Sequence, residues 1–176
     1  DKECVQNVIS SLKKTGLIND NKYIKEYVSY ANEKLMGKNK IILNLRKSGI
    51  FDKNISSINF SDVKERQKAS KLLPKLERKY QNLSTVEKRQ HIVIALIREG
   101  FDNEIALKVV ASVKPTPIKQ EKKNMVEMFE YYLKQADRKN LDYKDKKEFI
   151  VKRMVNKGFR YSEINNLWEE YIREIY

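Results

Sequence analysis

The stretch Leu45-Arg46-Lys47-Ser48-Gly49-Ile50 decides the fold, because the chain contains four versions of it. In each version a large apolar residue is followed by three spacers, a glycine and a second large apolar residue. Four of the five glycines of the chain occupy this one position. The other versions lie at residues 12–17, 96–101 and 154–159. Such regular placement of glycine indicates an internal repeat.

The residues before each glycine predict a helix. The positions eight and four residues before the glycine are apolar in all four copies, and residues four apart share one helix face. Glycine is well suited to the position that follows a helix end, where the backbone turns through positive φ. A capping residue for a second helix follows within four residues: Asn19 or Asp20, Asp52, Asp102 and Ser162. We call the helices that end at these turns the pre-glycine helices.

The rest of the chain also has helical periodicity, and no segment shows the alternation of a strand. We predict an all-α fold of tandem three-helix modules, forming an elongated, curved array. Pro74 falls inside the helix expected after Ser61-Asp62, so we expect a kink or a break there. The chain starts in what reads as the middle of a helix, so we expect that it lacks upstream residues. The predicted domains are residues 1–60 (a partial N-terminal helix and the first module), 61–113 (the second module), 114–124 (a linker) and 125–176 (the third module).

The chain has 37 Lys and Arg residues and 24 Asp and Glu residues, which give a net charge of +13. This excess of positive charge favours an acidic partner such as nucleic acid. An AT-rich genome also produces lysine-rich proteins, so the placement of the charges has to decide. Basic residues cluster on the three complete pre-glycine helices, where stacking of the modules would bring them to one side; solvated helix faces are the alternative. The predicted contact residues are Lys38, Lys40, Arg46, Lys47, Lys88, Arg89, Arg98, Lys146, Lys147, Lys152, Arg153 and Lys157. The predicted turn residues are Gly16, Gly49, Gly100 and Gly158.

Little in the sequence points to catalysis. His91 and Cys4 are the only residues of their types, so they supply neither a zinc set nor a paired nucleophile. We expect His91 to be a surface residue, and no enzyme activity, metal or cofactor. A lone cysteine fits the reducing cytoplasm, and no apolar run approaches the length of a membrane span. A helix-turn-helix is disfavoured, because the helices after the glycines are short, apolar or acidic, unlike a groove-reading helix.

Four stretches, in order, carry a resemblance to a known family. They run from Gly16-Leu17-Ile18-Asn19-Asp20 to Tyr27-Val28, from Gly37 through Ile41 and Leu45 to Gly49-Ile50, from Glu87 through Ile92 and Leu96 to Gly100-Phe101, and from Gly158-Phe159 to Ile164. The chain resembles the RecX regulatory proteins in these stretches. It departs from them at Glu99, where the family usually has arginine before the Gly-Phe pair.

The resemblance implies a cytoplasmic modulator of the RecA recombinase. Its basic residues would contact DNA phosphate or acidic RecA surface in the groove of the RecA–single-stranded DNA filament, and would inhibit recombinase, ATPase and coprotease activity in DNA repair and recombination. Double-stranded DNA is a further candidate ligand; we expect a monomer and no membrane partner. Two alternatives stay open. One is a helical protein that binds nucleic acid without sequence preference and without a recombinase partner, and the other is a helical scaffold whose charge reflects only genome composition.

Overall fold

The computed structural model describes residues 2–175, apart from the side chains of Lys2 and Lys13. Ten helices and no strand occur in this range, so the all-α prediction is confirmed. The predicted first and last helices extend to Asp1 and Tyr176, which lie outside the described residues. The helices are α1 (Lys2–Lys14), α2 (Asp20–Glu33), α3 (Lys38–Lys47), α4 (Asp52–Ile55), α5 (Asp62–Lys79), α6 (Thr85–Arg98), α7 (Asn103–Val110), α8 (Ile118–Arg138), α9 (Tyr143–Asn156) and α10 (Tyr161–Ile175).

The glycine turns form as predicted. Helices α1, α3, α6 and α9 each end just before one of the four glycines, whose φ angles are +75°, +81°, +94° and +85° in chain order. After the last three glycines, the next amide donates to a carbonyl five residues back, as in the Schellman motif. The N···O distances are 3.1 Å for Ile50 to Leu45, 3.1 Å for Phe101 to Leu96 and 3.2 Å for Phe159 to Met154. The apolar residue after the glycine therefore folds back onto the helix that it follows.

One of the four predicted caps is confirmed, because the Asn19 side chain accepts from the Lys22 amide at 3.0 Å. Asp102 directly precedes α7, and its carboxylate accepts from Asn39 Nδ2 at 2.7 Å. Asp52 was wrong as a cap, because it is the first residue of α4 and its carboxylate accepts from Arg46 Nε at 2.7 Å. Ser162 was also wrong, because α10 begins one residue earlier.

Pro74 lies within α5, which continues as a helix from Asp62 to Lys79. The helix is therefore not broken at Pro74, and the kink stays a prediction. A proline lacks the amide that would donate to the preceding turn, so the helix loses one hydrogen bond at this residue.

The chain forms two compact units. Unit 1 contains the residues up to 72 together with 96–109, and unit 2 contains 73–95 together with the residues from 110 onward. Helices α5 and α6 thus contribute residues to both. The three-module division and the curved array stay predictions.

The apolar pattern of the complete pre-glycine helices builds both cores. All six side chains eight and four residues before the glycines are fully buried: Ile41, Leu45, Ile92, Leu96, Ile150 and Met154. In unit 1 the α3 pair packs with Ile24, Ala31, Ile50 and Ile55. In unit 2 the α9 pair packs with Phe129, Phe159, Ile164 and Trp168, among others. The first copy differs, since Val8 of α1 is 53% exposed and Leu12 is only half-buried.

Candidate functional site

In unit 1, the end of α6 contacts the start of α3 through the backbone. The Gly37 amide donates to the Glu99 carbonyl at 2.8 Å, and the Asn39 amide donates to the Gly100 carbonyl at 2.9 Å. Free amides at a helix start and free carbonyls at a helix end therefore satisfy each other. The approach requires glycine, because a Cβ on Gly37 would lie 2.2 Å from the Gly100 carbonyl carbon.

Two ion pairs surround this backbone contact. Lys40 Nζ lies 2.8 Å from Glu99 Oε2, and Lys38 pairs with Asp102, which also accepts from Asn39 Nδ2 at 2.7 Å. The hydrogen bond with Asp102 raises the pKa of Lys38. The same bond lowers the pKa of Asp102. Two of the predicted contact lysines thus hold the fold of unit 1.

Unit 2 contains a second contact of this kind, between the end of α9 and the start of α6. The Ser84 hydroxyl donates to the Lys157 carbonyl, and it accepts from the Glu87 amide at 3.1 Å. Lys157 Nζ lies 2.5 Å from Glu87 Oε1, which is almost fully buried. The hydrogen bond with Glu87 raises the pKa of Lys157. Ser84 therefore caps α6, and the Glu87 carboxylate bonds to Lys157.

Lys88 and Arg89 point to the segment that follows α7. Lys88 is 6% exposed, and its Nζ donates to the Lys114 carbonyl at 3.3 Å. Arg89 Nη2 donates to the Val113 carbonyl at 2.9 Å. These two cations therefore hold residues 113–114 in place.

Three other predicted cations form ion pairs at the surface. Arg46 Nε lies 2.7 Å from Asp52 Oδ1. On α9, Lys146 Nζ lies 2.5 Å from Asp137 Oδ1 and Lys147 Nζ lies 3.4 Å from Glu169 Oε1. The hydrogen bond with Asp137 raises the pKa of Lys146.

The remaining four predicted cations are exposed and form no ion pair within residues 2–175: Lys47, Arg98, Lys152 and Arg153. Aliphatic side chains share the helix faces of the first three. Leu43 precedes Lys47 by four residues, Ile94 precedes Arg98 by four, and Val155 follows Lys152 by three, so each pair is adjacent. These aliphatic residues are 50%, 46% and 44% exposed, respectively. We call the faces carrying these three pairs the free cationic faces.

The mixed character of the free cationic faces was missed in the sequence. Its signal is an apolar residue six or three positions before the glycine, outside the buried pattern at eight and four. The stems of Lys and Arg can cover neighbouring aliphatic side chains while the charged head stays in water.

His91 and the remaining chemistry of the site can be described briefly. The His91 ring stacks on Tyr80 with centroids 5.3 Å apart, and its Nε2 lies 3.5 Å from Glu87 Oε1. The His91 side chain is 43% exposed, in line with the surface residue that the sequence predicts. No cluster of three or more His, Cys, Asp or Glu side chains suited to a metal occurs in the described part of the chain. Within the same part, no helix is long and apolar enough to cross a membrane.

The fold and these faces define an all-α protein with basic helices that end in glycine turns. The chain is 27% identical to the Regulatory protein RecX of Streptococcus agalactiae serotype III (strain NEM316), over 98% of this chain and 67% of that protein. It is 30% identical to the Regulatory protein RecX of Bacillus pumilus (strain SAFR-032), over 94% of this chain and 64% of that protein. No family model matches the chain, and no solved structure matches it. The chain is similar to the RecX regulatory proteins over nearly its whole length, and it spans about two thirds of the length of these relatives.

Proposed function

We propose that this chain is a regulatory protein that binds the RecA–single-stranded DNA filament in the cytoplasm and inhibits its recombinase, ATPase and coprotease activities. The observation that carries the proposal is the similarity, over 98% of the chain, to a protein named Regulatory protein RecX. The RecA partner comes from the family resemblance. The helical repeat and the net charge of +13 agree with a filament partner rich in phosphate.

The free cationic faces supply the contacts in this proposal. Lys47 and Arg98 supply their cations in unit 1 and Lys152 supplies one in unit 2, where the exposed Arg153 is a further unpaired cation. Their charges are exposed and unpaired within the described residues, so they can neutralise phosphate or acidic protein without first breaking an ion pair. Of the other eight predicted cations, five hold contacts of the fold and three form ion pairs at the surface, so reversing any of them would also remove an existing contact.

A charge-reversal experiment tests this assignment. The test variant combines Lys47→Glu and Arg98→Glu; the matched control combines Lys64→Glu and Lys71→Glu, two exposed lysines of α5. Co-sedimentation with preformed RecA–single-stranded DNA filaments at two salt concentrations measures binding. We expect the test variant to bind at least about tenfold more weakly and with a shallower salt dependence, since each lost phosphate contact reduces the slope. Equal binding by the test and control variants would remove these residues from the interface.

Naked single-stranded DNA, assayed beside the filament, separates this function from general nucleic-acid binding. A filament regulator binds the filament more tightly than the naked strand. Equal affinity for both would favour a helical protein that binds nucleic acid without a recombinase partner.

A further inference from the structure

Aromatic rings and cations interleave where α8 meets α9. Arg153 Cζ lies 4.3 Å from the centroid of the Phe149 ring and 5.8 Å from that of Tyr132. Lys139 Nζ lies 4.8 Å from the same Phe149 centroid. The Tyr131 ring, which is 55% exposed, lies 5.2 Å from the Tyr132 ring. We call these five residues the α8–α9 surface.

Packing of the unit 2 core accounts for only part of this surface. Tyr132 is 6% exposed and belongs to the core, whereas Lys139, Arg153 and Tyr131 lie on the outside. A cation over an aromatic face keeps its full charge toward solvent while the ring fixes its position. Neither Lys139 nor Arg153 forms an ion pair within residues 2–175, and the neighbouring Asp137 is bound to Lys146 at 2.5 Å. The surface therefore presents two positioned charges that no carboxylate neutralises.

Unit 1 carries a related arrangement at the end of α2. Leu35 and Asn140 are the two residues other than glycine with positive φ, at +56° and +51°, in the described chain. Each is preceded directly by a lysine, Lys34 or Lys139. Lys34 Nζ lies 5.8 Å from the centroid of the Tyr30 ring, which is 49% exposed. A lysine held over an aromatic ring thus occurs at the same place before α3 and before α9.

We propose that the α8–α9 surface is a binding site for single-stranded nucleic acid. Arg153 and Lys139 contact successive phosphates, and the exposed ring of Tyr131 stacks on an unpaired base. Positive charge that follows a backbone, together with aromatic rings for the bases, is the combination by which proteins bind single strands. An acidic protein would use the cations but would leave the exposed ring without a stacking partner. A duplex offers phosphates, but its base faces are already stacked.

This inference rests on the proposed function only in naming the strand, which would be the DNA of the filament. Two variants test it in the full chain: Lys139→Ala combined with Arg153→Ala, and Tyr131→Ala. Tyr131→Phe retains the ring, and Lys64→Ala combined with Lys71→Ala removes two charges elsewhere. The probe is a labelled oligo(dT) strand, and its fluorescence anisotropy is measured over a salt series, beside a duplex of the same length.

We expect the double cation variant to bind the strand roughly tenfold more weakly, with a salt slope reduced by about 1.4, or about 0.7 for each phosphate contact. Tyr131→Ala weakens strand binding by about tenfold, leaves duplex binding unchanged, and is rescued by Tyr131→Phe. The control Lys64→Ala combined with Lys71→Ala binds the strand more tightly than either test variant does. No binding of the strand by the unmodified chain at low salt, or equal strand binding by all variants, would overturn the inference.

Inhibition of filament ATP turnover, measured on the same variants, separates the two proposals. If the chain inhibits the filament but the substitutions leave the affinity for oligo(dT) unchanged, the site is wrong and the proposed function stands. If the substitutions weaken strand binding but the unmodified chain never inhibits the filament, the site stands and the regulatory function fails.

Discussion

Lys40 and Glu99 form an ion pair at 2.8 Å that recurs, with the charges exchanged, between Glu87 and Lys157 at 2.5 Å. Lys40 and Glu87 are each the third residue of a pre-glycine helix, and Glu99 and Lys157 each directly precede the turn glycine of another. Because the polarity differs, docking the end of α9 on the start of α3 would place Lys157 beside Lys40, two like charges. The two pairs therefore favour the observed partners over this alternative.

Reversing one charge of the Glu87–Lys157 pair should destabilise unit 2. Lys157→Glu places a second carboxylate beside the nearly buried Glu87, so we expect the free energy of unfolding to fall by about 3 kcal/mol. The control Lys152→Glu, on the exposed face of α9, should change it by less than about 0.5 kcal/mol. Urea unfolding followed by the fluorescence of the buried Trp168 measures both. Restoring opposite charges with Glu87→Lys and Lys157→Glu together should recover much of the loss. Equal losses in Lys157→Glu and in the control Lys152→Glu would contradict the pairing.

Alanine substitutions at the glycines should fall into two classes. Gly49→Ala meets no atom within 4 Å, so its cost is the positive φ alone, about 1 kcal/mol. Gly100→Ala has that cost and also places a Cβ 2.4 Å from the Lys40 amide nitrogen, so we expect at least about 2 kcal/mol more. Denaturant unfolding measures the difference, and equal losses would exclude the close contact between α6 and α3.

Gly37→Ala tests the close approach without a contribution from backbone strain. The φ of Gly37 is −75°, which any residue adopts, but the new Cβ would meet the backbone of Gly100. We expect a loss of about 3 kcal/mol in the free energy of unfolding. A loss below about 1 kcal/mol, typical of replacing an unconstrained glycine at a helix start, would contradict this geometry.

The ion pair of Lys38 and Asp102 predicts acid sensitivity in unit 1. The pKa of Asp102 is lowered from 3.8 by the hydrogen bond with Lys38, so the folded state binds this proton less readily than the unfolded state does. Its contribution is therefore complete above pH 3.8 and is lost as the pH falls from there through the folded pKa. In Asp102→Asn, the free energy of unfolding should therefore fall less steeply as the pH is lowered. Unfolding followed by circular dichroism at several pH values measures this. The exposed Asp145→Asn is the control, and an unchanged slope in Asp102→Asn would contradict the pairing.

Asn124 shows how unit 2 satisfies buried carbonyls. Its Nδ2 donates to the Gln81 and Leu83 carbonyls, both at 3.0 Å, and the residue is 1% exposed. Asn124→Leu keeps the branching of the side chain but removes both donors, so we expect a loss of about 2–3 kcal/mol in the free energy of unfolding. Asn124→Ser, which retains one donor, should lose less. A neutral Asn124→Leu in urea unfolding would mean that water replaces the side chain.

The local part of the fold could be predicted from the sequence, because it depends on residues only a few positions apart. The glycine turns and the buried positions eight and four residues earlier depend on neighbours along one helix. The pairs at the helix contacts depend on residues 59 and 70 positions apart, for which one sequence has no local signal. For the same reason Lys88 and Arg89 read as surface cations, although they bind the segment after α7.

ATP turnover by preformed RecA–single-stranded DNA filaments, titrated with this chain at two salt concentrations, tests the regulatory role most directly. We predict loss of turnover at less than one chain per RecA subunit, weakened by higher salt and by the Lys47→Glu and Arg98→Glu combination, with much weaker binding to the naked strand. Turnover that persists at saturating chain, or that falls only as the chain sequesters free DNA, would contradict the proposed function.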